Sequence, residues 1–120
     1  MLLLATALAV AILVPQSPAD PQLAVISARL GDCSADFTVK DPDGKPVYAA
    51  VVHVRVRYGF MSLKRMDLEV GTNSAGQARV EGLPARAKPM TYDISQGDRK
   101  ATVGQDLATT CRAKYEVSLK

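Results

Sequence analysis

From Ala35 to Leu119 apolar residues alternate with polar ones almost everywhere, and no sustained stretch shows the 3.6-residue spacing of an amphipathic helix. A period of two sends successive side chains to opposite faces of an extended chain, so the pattern predicts an all-β protein. Ala35, Phe37 and Val39 alternate with polar neighbours before a turn at Asp41-Pro42-Asp43-Gly44-Lys45-Pro46. The longest predicted strand runs from Val47 to Tyr58. One face carries Tyr48, Ala50, Val52, Val54, Val56 and Tyr58, and the other carries Val47, Ala49, Val51, His53, Arg55 and Arg57. After a bend at Gly59, Met66, Leu68 and Val70 alternate with Arg65, Asp67 and Glu69 in a half-buried strand. Asn73-Ser74-Ala75-Gly76 turns the chain into a strand over Ala78 to Glu81, which Gly82-Leu83-Pro84 ends. Met90, Tyr92 and Ile94 mark the next strand, Ala101 and Val103 its return, and Cys111, Ala113, Tyr115, Val117 and Leu119 one face of the last. A short leading strand over Leu23 to Ala28 is an optional addition to these seven. Turn signals at intervals of about eight to twelve residues predict a seven-stranded antiparallel Greek-key β-sandwich of two sheets.

The first residues break this pattern. Thirteen of the fourteen residues from Met1 to Val14 are apolar, Thr6 being the exception, and no charge precedes Asp20. This is the apolar core of an export signal, a signal helix too short to span a bilayer. Pro15-Gln16-Ser17-Pro18-Ala19 follows, with Ser17 and Ala19 as the small residues of a cleavage site. The expected organisation is a signal peptide over 1–19, a leader segment with one short strand over 20–34, and the sandwich over 35–120. The alternative is an uncleaved apolar tail. Leu30-Gly31-Asp32-Cys33 looks like a lipid-attachment box, but Asp32 stands where a small residue is required. The expected location is therefore exported, in the periplasm or cell envelope or secreted, with membrane attachment only through an uncleaved signal segment.

Export gives the two cysteines a meaning. Cys33 shares its parity with Phe37 and Val39, and Cys111 shares its parity with Tyr115, Val117 and Leu119, so both thiols should face the core. An even cysteine count in a small exported domain predicts a Cys33–Cys111 disulfide tying first strand to last. It closes a loop of about 78 residues, worth about 4 to 5 kcal/mol in the chain-entropy model. The alternative is a pair of buried free thiols.

Composition narrows the function. A net charge of +3 with a pI near 9.0 is a mild bias, and aromatic residues make up 5% of the chain with no Trp. That argues against stacking platforms for bases, and no nucleic-acid partner is expected. His53 is the only histidine. With two cysteines not at ligand spacing it cannot complete a tetrahedral metal shell, so neither metal nor cofactor is expected. Ser62, Ser74 and Ser95 lie in loops or at strand ends without a nucleophile turn, and no catalytic residue is assigned. Asp41 and Asp43 with Gly44 look like part of a calcium loop that lacks its later ligands, which makes a plain turn the better reading. Asn73, the only asparagine, sits in a turn and not where an isopeptide would form.

The strongest candidate surface is basic. No acidic residue lies between Asp43 and Asp67, a stretch containing Lys45, Arg55, Arg57, Lys64 and Arg65. His53, Arg55, Arg57, Tyr58, Phe60, Lys64 and Arg65 form the candidate binding surface, suited to an anionic envelope polymer, lipid headgroups or an acidic protein surface. The plain alternative is a solvated strand face on which Asp67 and Glu69 pair with the cations.

Two motifs carry a family resemblance. Asp41-Pro42-Asp43-Gly44-Lys45-Pro46-Val47 followed by Ala50-Val51-Val52, and Thr72-Asn73-Ser74-Ala75-Gly76-Gln77-Ala78 ending in Gly82-Leu83-Pro84, resemble a carboxypeptidase regulatory-like domain. The resemblance spans about residues 35 to 104 and implies a prealbumin-like, transthyretin-related sandwich with an immunoglobulin-like architecture. It implies no peptidase, because His53 has no second histidine and no Glu at metalloprotease spacing. Ala85-Arg86-Ala87-Lys88-Pro89 departs from the family, replacing its usual glycine-plus-aromatic step. The implied function is a non-catalytic structural or binding module. A carbohydrate-binding module is the first alternative and would need Tyr58 and Phe60 exposed side by side. A transthyretin-related hydrolase is the second and would need a polar pocket converging on His53.

Overall fold

The computed structural model describes residues 22–120, so the expected signal peptide lies outside the described residues. Eight strands form two four-stranded sheets. They are β1 (Ala24–Ser27), β2 (Cys33–Lys40), β3 (Val51–Tyr58), β4 (Lys64–Gly71), β5 (Gln77–Leu83), β6 (Met90–Gln96), β7 (Arg99–Gln105) and β8 (Arg112–Ser118). One sheet has the order β1-β5-β2-β8 and the other β4-β3-β6-β7. The only helical turn among the described residues is a 3-10 turn at Phe60–Ser62, and no described helix is long and apolar enough to cross a membrane.

The alternating side chains meet between the sheets. Cys33, Ala35, Phe37 and Val39 of β2 and Ala78 and Val80 of β5 are buried, facing Val52, Val54 and Val56 of β3 and Tyr92 and Ile94 of β6. Phe37 sits at the centre, edge-on to Tyr92 at 4.7 Å and stacked on Tyr115 at 5.5 Å. The buried Tyr92 hydroxyl donates to Gln105 Oε1 at 2.6 Å. Gln105 Nε2 in turn donates to the carbonyls of Ser34 at 3.1 Å and Thr110 at 2.8 Å. This chain of bonds links β6 and β7 to the start of β2 and the approach to β8, satisfying polar groups that would be costly if left bare. Burial, and secondarily the proximity of Tyr115, raises the Tyr92 hydroxyl well above its ordinary pKa.

Three sequence expectations need correction. The count is eight strands and not seven, because the leader contributes β1 as a full member of a sheet. The fold is not wholly antiparallel: β1 runs parallel to β5, and β2 runs parallel to β8 from Ser34↔Arg112 to Lys40↔Ser118. Side-chain periodicity reports which face a residue occupies and is blind to the direction of its neighbour. Finally, the long strand begins at Val51 and not at Val47. Ala49 takes a left-handed φ of 60°, which reverses the alternation, so that Val47 is buried and Tyr48 is exposed. The buried Thr72 hydroxyl fixes this kink, donating to the Val47 carbonyl at 2.6 Å and accepting from the Ala50 amide at 2.9 Å.

The disulfide joins Cys33 to Cys111 with their Cα atoms 4.6 Å apart. It ties the beginning of β2 to the residue preceding β8, two neighbouring strands of one sheet, and so connects the second strand to the last. Cys33 is fully buried and Cys111 half-buried against the core.

Candidate functional site

The outward face of β3 carries His53, Arg55 and Arg57, as its alternation predicts. Their partners on β4 are Glu69, Asp67 and Arg65, and His53 also faces Asp93 on β6. Along this single ladder the charge balance changes. Arg55 Nε donates to Asp67 Oδ1 at 3.0 Å, and His53 Nε2 lies 3.4 Å from the same oxygen. The guanidinium of Arg55 holds the Asp67 carboxyl below its ordinary pKa. Two residues further, Arg57 stands directly opposite Arg65, with no carboxylate between them. Among the described residues Arg57, Lys64 and Arg65 form no ion pair. Like charges facing each other across a ladder are unfavourable until an anion joins them.

The candidate residues therefore divide. Arg57 and Arg65 converge, while Arg55 is paired with Asp67 and His53 lies against the same carboxylate. Tyr58 belongs to the other side of the strand: it is half-buried against the core and pairs with Lys64 and with Ala87. Phe60 is 83% exposed, so Tyr58 and Phe60 do not form a side-by-side aromatic pair. Phe60 leads a tip of apolar residues, with Met61 76% and Leu63 75% exposed. Arg57, Ser62, Leu63 and Arg65 line a shallow depression of about 250 Å³ at the base of that tip.

Sequence reasoning missed two cations here. Ala87 forms a bridge with Tyr58, and the Lys88 amide donates to the Arg57 carbonyl at 3.3 Å. This places the exposed Arg86 and Lys88 beside the end of β3. Lys88 joins His53, Arg55, Arg57 and Asp93 around an open depression of about 380 Å³. The only signal for them in the sequence was the Ala85–Pro89 segment, where the resemblance noted above breaks off. Among the described residues no hydroxyl or thiol is hydrogen-bonded to His53, both cysteines are oxidised, and no three of His, Cys, Asp or Glu cluster in a way that would hold a metal ion.

A larger polar depression, about 530 Å³, lies on the outer face of the other sheet and was likewise not foreseen. Its lining includes Arg79, Arg112 and Lys114 with Asp32, Asp36 and Glu81, so its charges balance. Arg79 Nε donates to Asp36 Oδ1 at 2.5 Å, a bond that raises the guanidinium pKa above its ordinary value. In the two turns that suggested other chemistry, the carboxylate or amide oxygen accepts from nearby backbone amides. Asp41 Oδ1 accepts from the amides of Asp43 and Lys45, each at 2.9 Å. Asn73 Oδ1 accepts from those of Ala75 at 3.0 Å and Gln77 at 2.9 Å.

No protein-family model matches this chain, and no curated protein matches it in sequence. Among solved structures it is similar to catechol 1,2-dioxygenase from Pseudomonas arvilla C-1, at 14% identity and a TM-score of 0.55, over 88% of this chain and 59% of that one. A second is 3-chlorocatechol 1,2-dioxygenase from Rhodococcus opacus 1CP, at 14% identity and a TM-score of 0.49, over 86% of this chain and 67% of that one. The chain thus spans about three fifths of the length of the first of these enzymes. These neighbours are not carboxypeptidase regulatory-like domains, and at such identity the likeness to the Pseudomonas enzyme is one of fold.

Proposed function

We propose that this chain is an exported, non-catalytic β-sandwich module of the carboxypeptidase regulatory-like kind, with prealbumin-like Greek-key connections, that binds an anionic ligand in the bacterial cell envelope or outside the cell. The observation that carries the reading is the meeting, at one end of the β3–β4 hairpin, of cations that form no ion pair among the described residues: Arg57 opposite Arg65, with Arg86 and Lys88 alongside. An anionic polymer or an acidic protein surface supplies the missing charge there. Export is supported by the disulfide and by the apolar run at the N-terminus. The non-catalytic part rests on the sequence resemblance; in the fold His53 Nε2 lies 3.4 Å from Asp67 Oδ1.

The experiment is retention on immobilised dextran sulfate, a soluble polyanion used as a probe. Salt-dependent retention that falls several-fold in Arg57→Gln with Arg65→Gln supports the reading. Retention that ignores both substitutions overturns the assignment of the site. Intact-mass measurement of the protein from non-cytoplasmic fractions of its host, with and without reduction, tests export: a chain starting near Asp20 with both thiols blocked is the expected result.

A further inference from the structure

We propose that the folded domain docks on an anionic phospholipid surface through the β3–β4 tip, with Phe60, Met61 and Leu63 entering the headgroup boundary while Arg57 and Arg65 grip lipid phosphate at the tip's base. This rests on the anion-binding reading above and names its ligand. It also differs from attachment through the N-terminal apolar run, since the contact is made by the sandwich itself.

The first ground is the tip. Single exposed apolar side chains are ordinary, but three that are at least three-quarters exposed within four residues, at the end of a hairpin, form a projecting apolar knob. The backbone holds them there. Gly59, Met61 and Ser62 take left-handed φ values of 80°, 54° and 56°, and the turn is closed by bonds from the Ser62 amide to the Gly59 carbonyl at 3.0 Å and from the Leu63 amide to the Phe60 carbonyl at 3.2 Å. A turn that satisfies part of its own backbone polarity is suited to the edge of a hydrocarbon phase.

The second ground is the collar beside it. Arg57, Lys64 and Arg65 flank the tip, Arg86 and Lys88 lie beside the end of β3, and none of the five forms an ion pair among the described residues. Arg57 and Arg65 share their depression with Leu63 of the tip, so an anion held between them lies at the apolar–polar boundary. Guanidinium groups match phosphate oxygens in geometry as well as charge.

Together these choose among occupants. A soluble polyanion or an acidic protein satisfies the collar but leaves Phe60, Met61 and Leu63 in water. A second copy of this chain docked tip to tip brings two cationic collars together. An anionic bilayer satisfies both features, with the knob in the acyl boundary and the collar at the phosphates.

Flotation of the full chain with vesicles of phosphatidylglycerol and phosphatidylcholine, against phosphatidylcholine alone, provides the test. Binding to the anionic vesicles is expected to weaken about five-fold for each of Arg57→Gln and Arg65→Gln. It should weaken at least about ten-fold when Phe60→Ser, Met61→Ser and Leu63→Ser are combined. Because the chain has no Trp, Phe60→Trp installs a single reporter, and blue-shifted emission quenched by brominated lipid is expected on binding. An unquenched reporter, or vesicle binding indifferent to the tip substitutions, overturns the inference and assigns any attachment to the N-terminal run. Vesicle binding lost while dextran sulfate retention still depends on Arg57 and Arg65 overturns the lipid inference and leaves the anion-binding reading standing. Retention insensitive to those arginines overturns both. A reduction-sensitive Cys33–Cys111 mass and a cooperative thermal unfolding transition establish that each variant is folded.

Discussion

The loops at the two ends of β4 use their residues in opposite ways. After β4, the Asn73 side chain accepts from two amides of its own loop and donates to the Gln22 carbonyl at 3.0 Å, while Gly76, at φ 74°, passes so close to β2 that a Cβ there would lie 2.3 Å from the Val39 carbonyl oxygen. Before β4, the loop from Gly59 to Leu63 is equally contorted, yet it turns its apolar side chains into water and has no side-chain cap. Both loops keep left-handed backbone, but only one converts it into contacts within the molecule. The first is scaffold, and the second closes on its own backbone while leaving Phe60, Met61 and Leu63 exposed. A contorted loop is therefore a functional candidate only when its side chains are left over after its own hydrogen bonds are counted.

The sharpest way to break that contrast is at the two glycines. Gly76→Ala forces an L side chain into a left-handed conformation and into backbone that cannot yield, and should cost at least about 2 kcal/mol in urea unfolding. Gly59→Ala meets only the flexible Lys64 side chain, at 3.3 Å, and should cost about 1 kcal/mol of conformational strain alone. Equal losses at the two sites would mean that the loops are not distinct in kind.

Side chains give the next largest difference. Asn73→Ala strips the loop's amides of their acceptor and should lower stability by about 1 to 2 kcal/mol. Replacing Phe60, Met61 and Leu63 together by Ser should shift it by no more than about 0.5 kcal/mol, because none of the three is buried in the folded chain. A melting temperature that falls as far for the tip as for Asn73 would make the tip part of the scaffold.

The same contrast marks what could be read from the sequence. Turn chemistry is local, so Asp41 with Gly44 and Asn73 with Gly76 announced their loops, and the period of two located the inward faces of β2, β6 and β8. The kink at Ala49 was hidden because alanine is no signal for left-handed backbone, and its cause, the Thr72 hydroxyl, lies on the neighbouring β4–β5 connection. Parallel pairing of β2 with β8 was hidden because alternation carries no direction. Of the basic surface, the outward row of Arg55 and Arg57 was legible, and so was the option that Asp67 neutralises part of it. Arg86 and Lys88 were not, because they reach the site through a bridge between Ala87 and Tyr58, nearly thirty residues apart in a chain whose period says nothing about partners.

The smallest expected effect tests the ladder that links the two loops. Arg57 and Arg65 oppose each other on exposed neighbouring strands, so their repulsion is a standing cost to the fold that an anion would relieve. Arg65→Gln should raise stability by a few tenths of a kcal/mol at low ionic strength, and the gain should shrink as salt screens the pair. Arg55→Gln, two residues away, should give no such gain, because there the substitution removes the partner of Asp67. The screened gain at position 65, set against its absence at position 55, would show that cation pairing changes within two residues of one strand. It would also tie the change to ligand binding, since a fold that keeps an unfavourable pair at its surface is stabilised when an anion arrives. A bound polyanion should then raise the melting temperature of the original chain more than that of the Arg65→Gln variant, and equal shifts in the two would place the anion elsewhere.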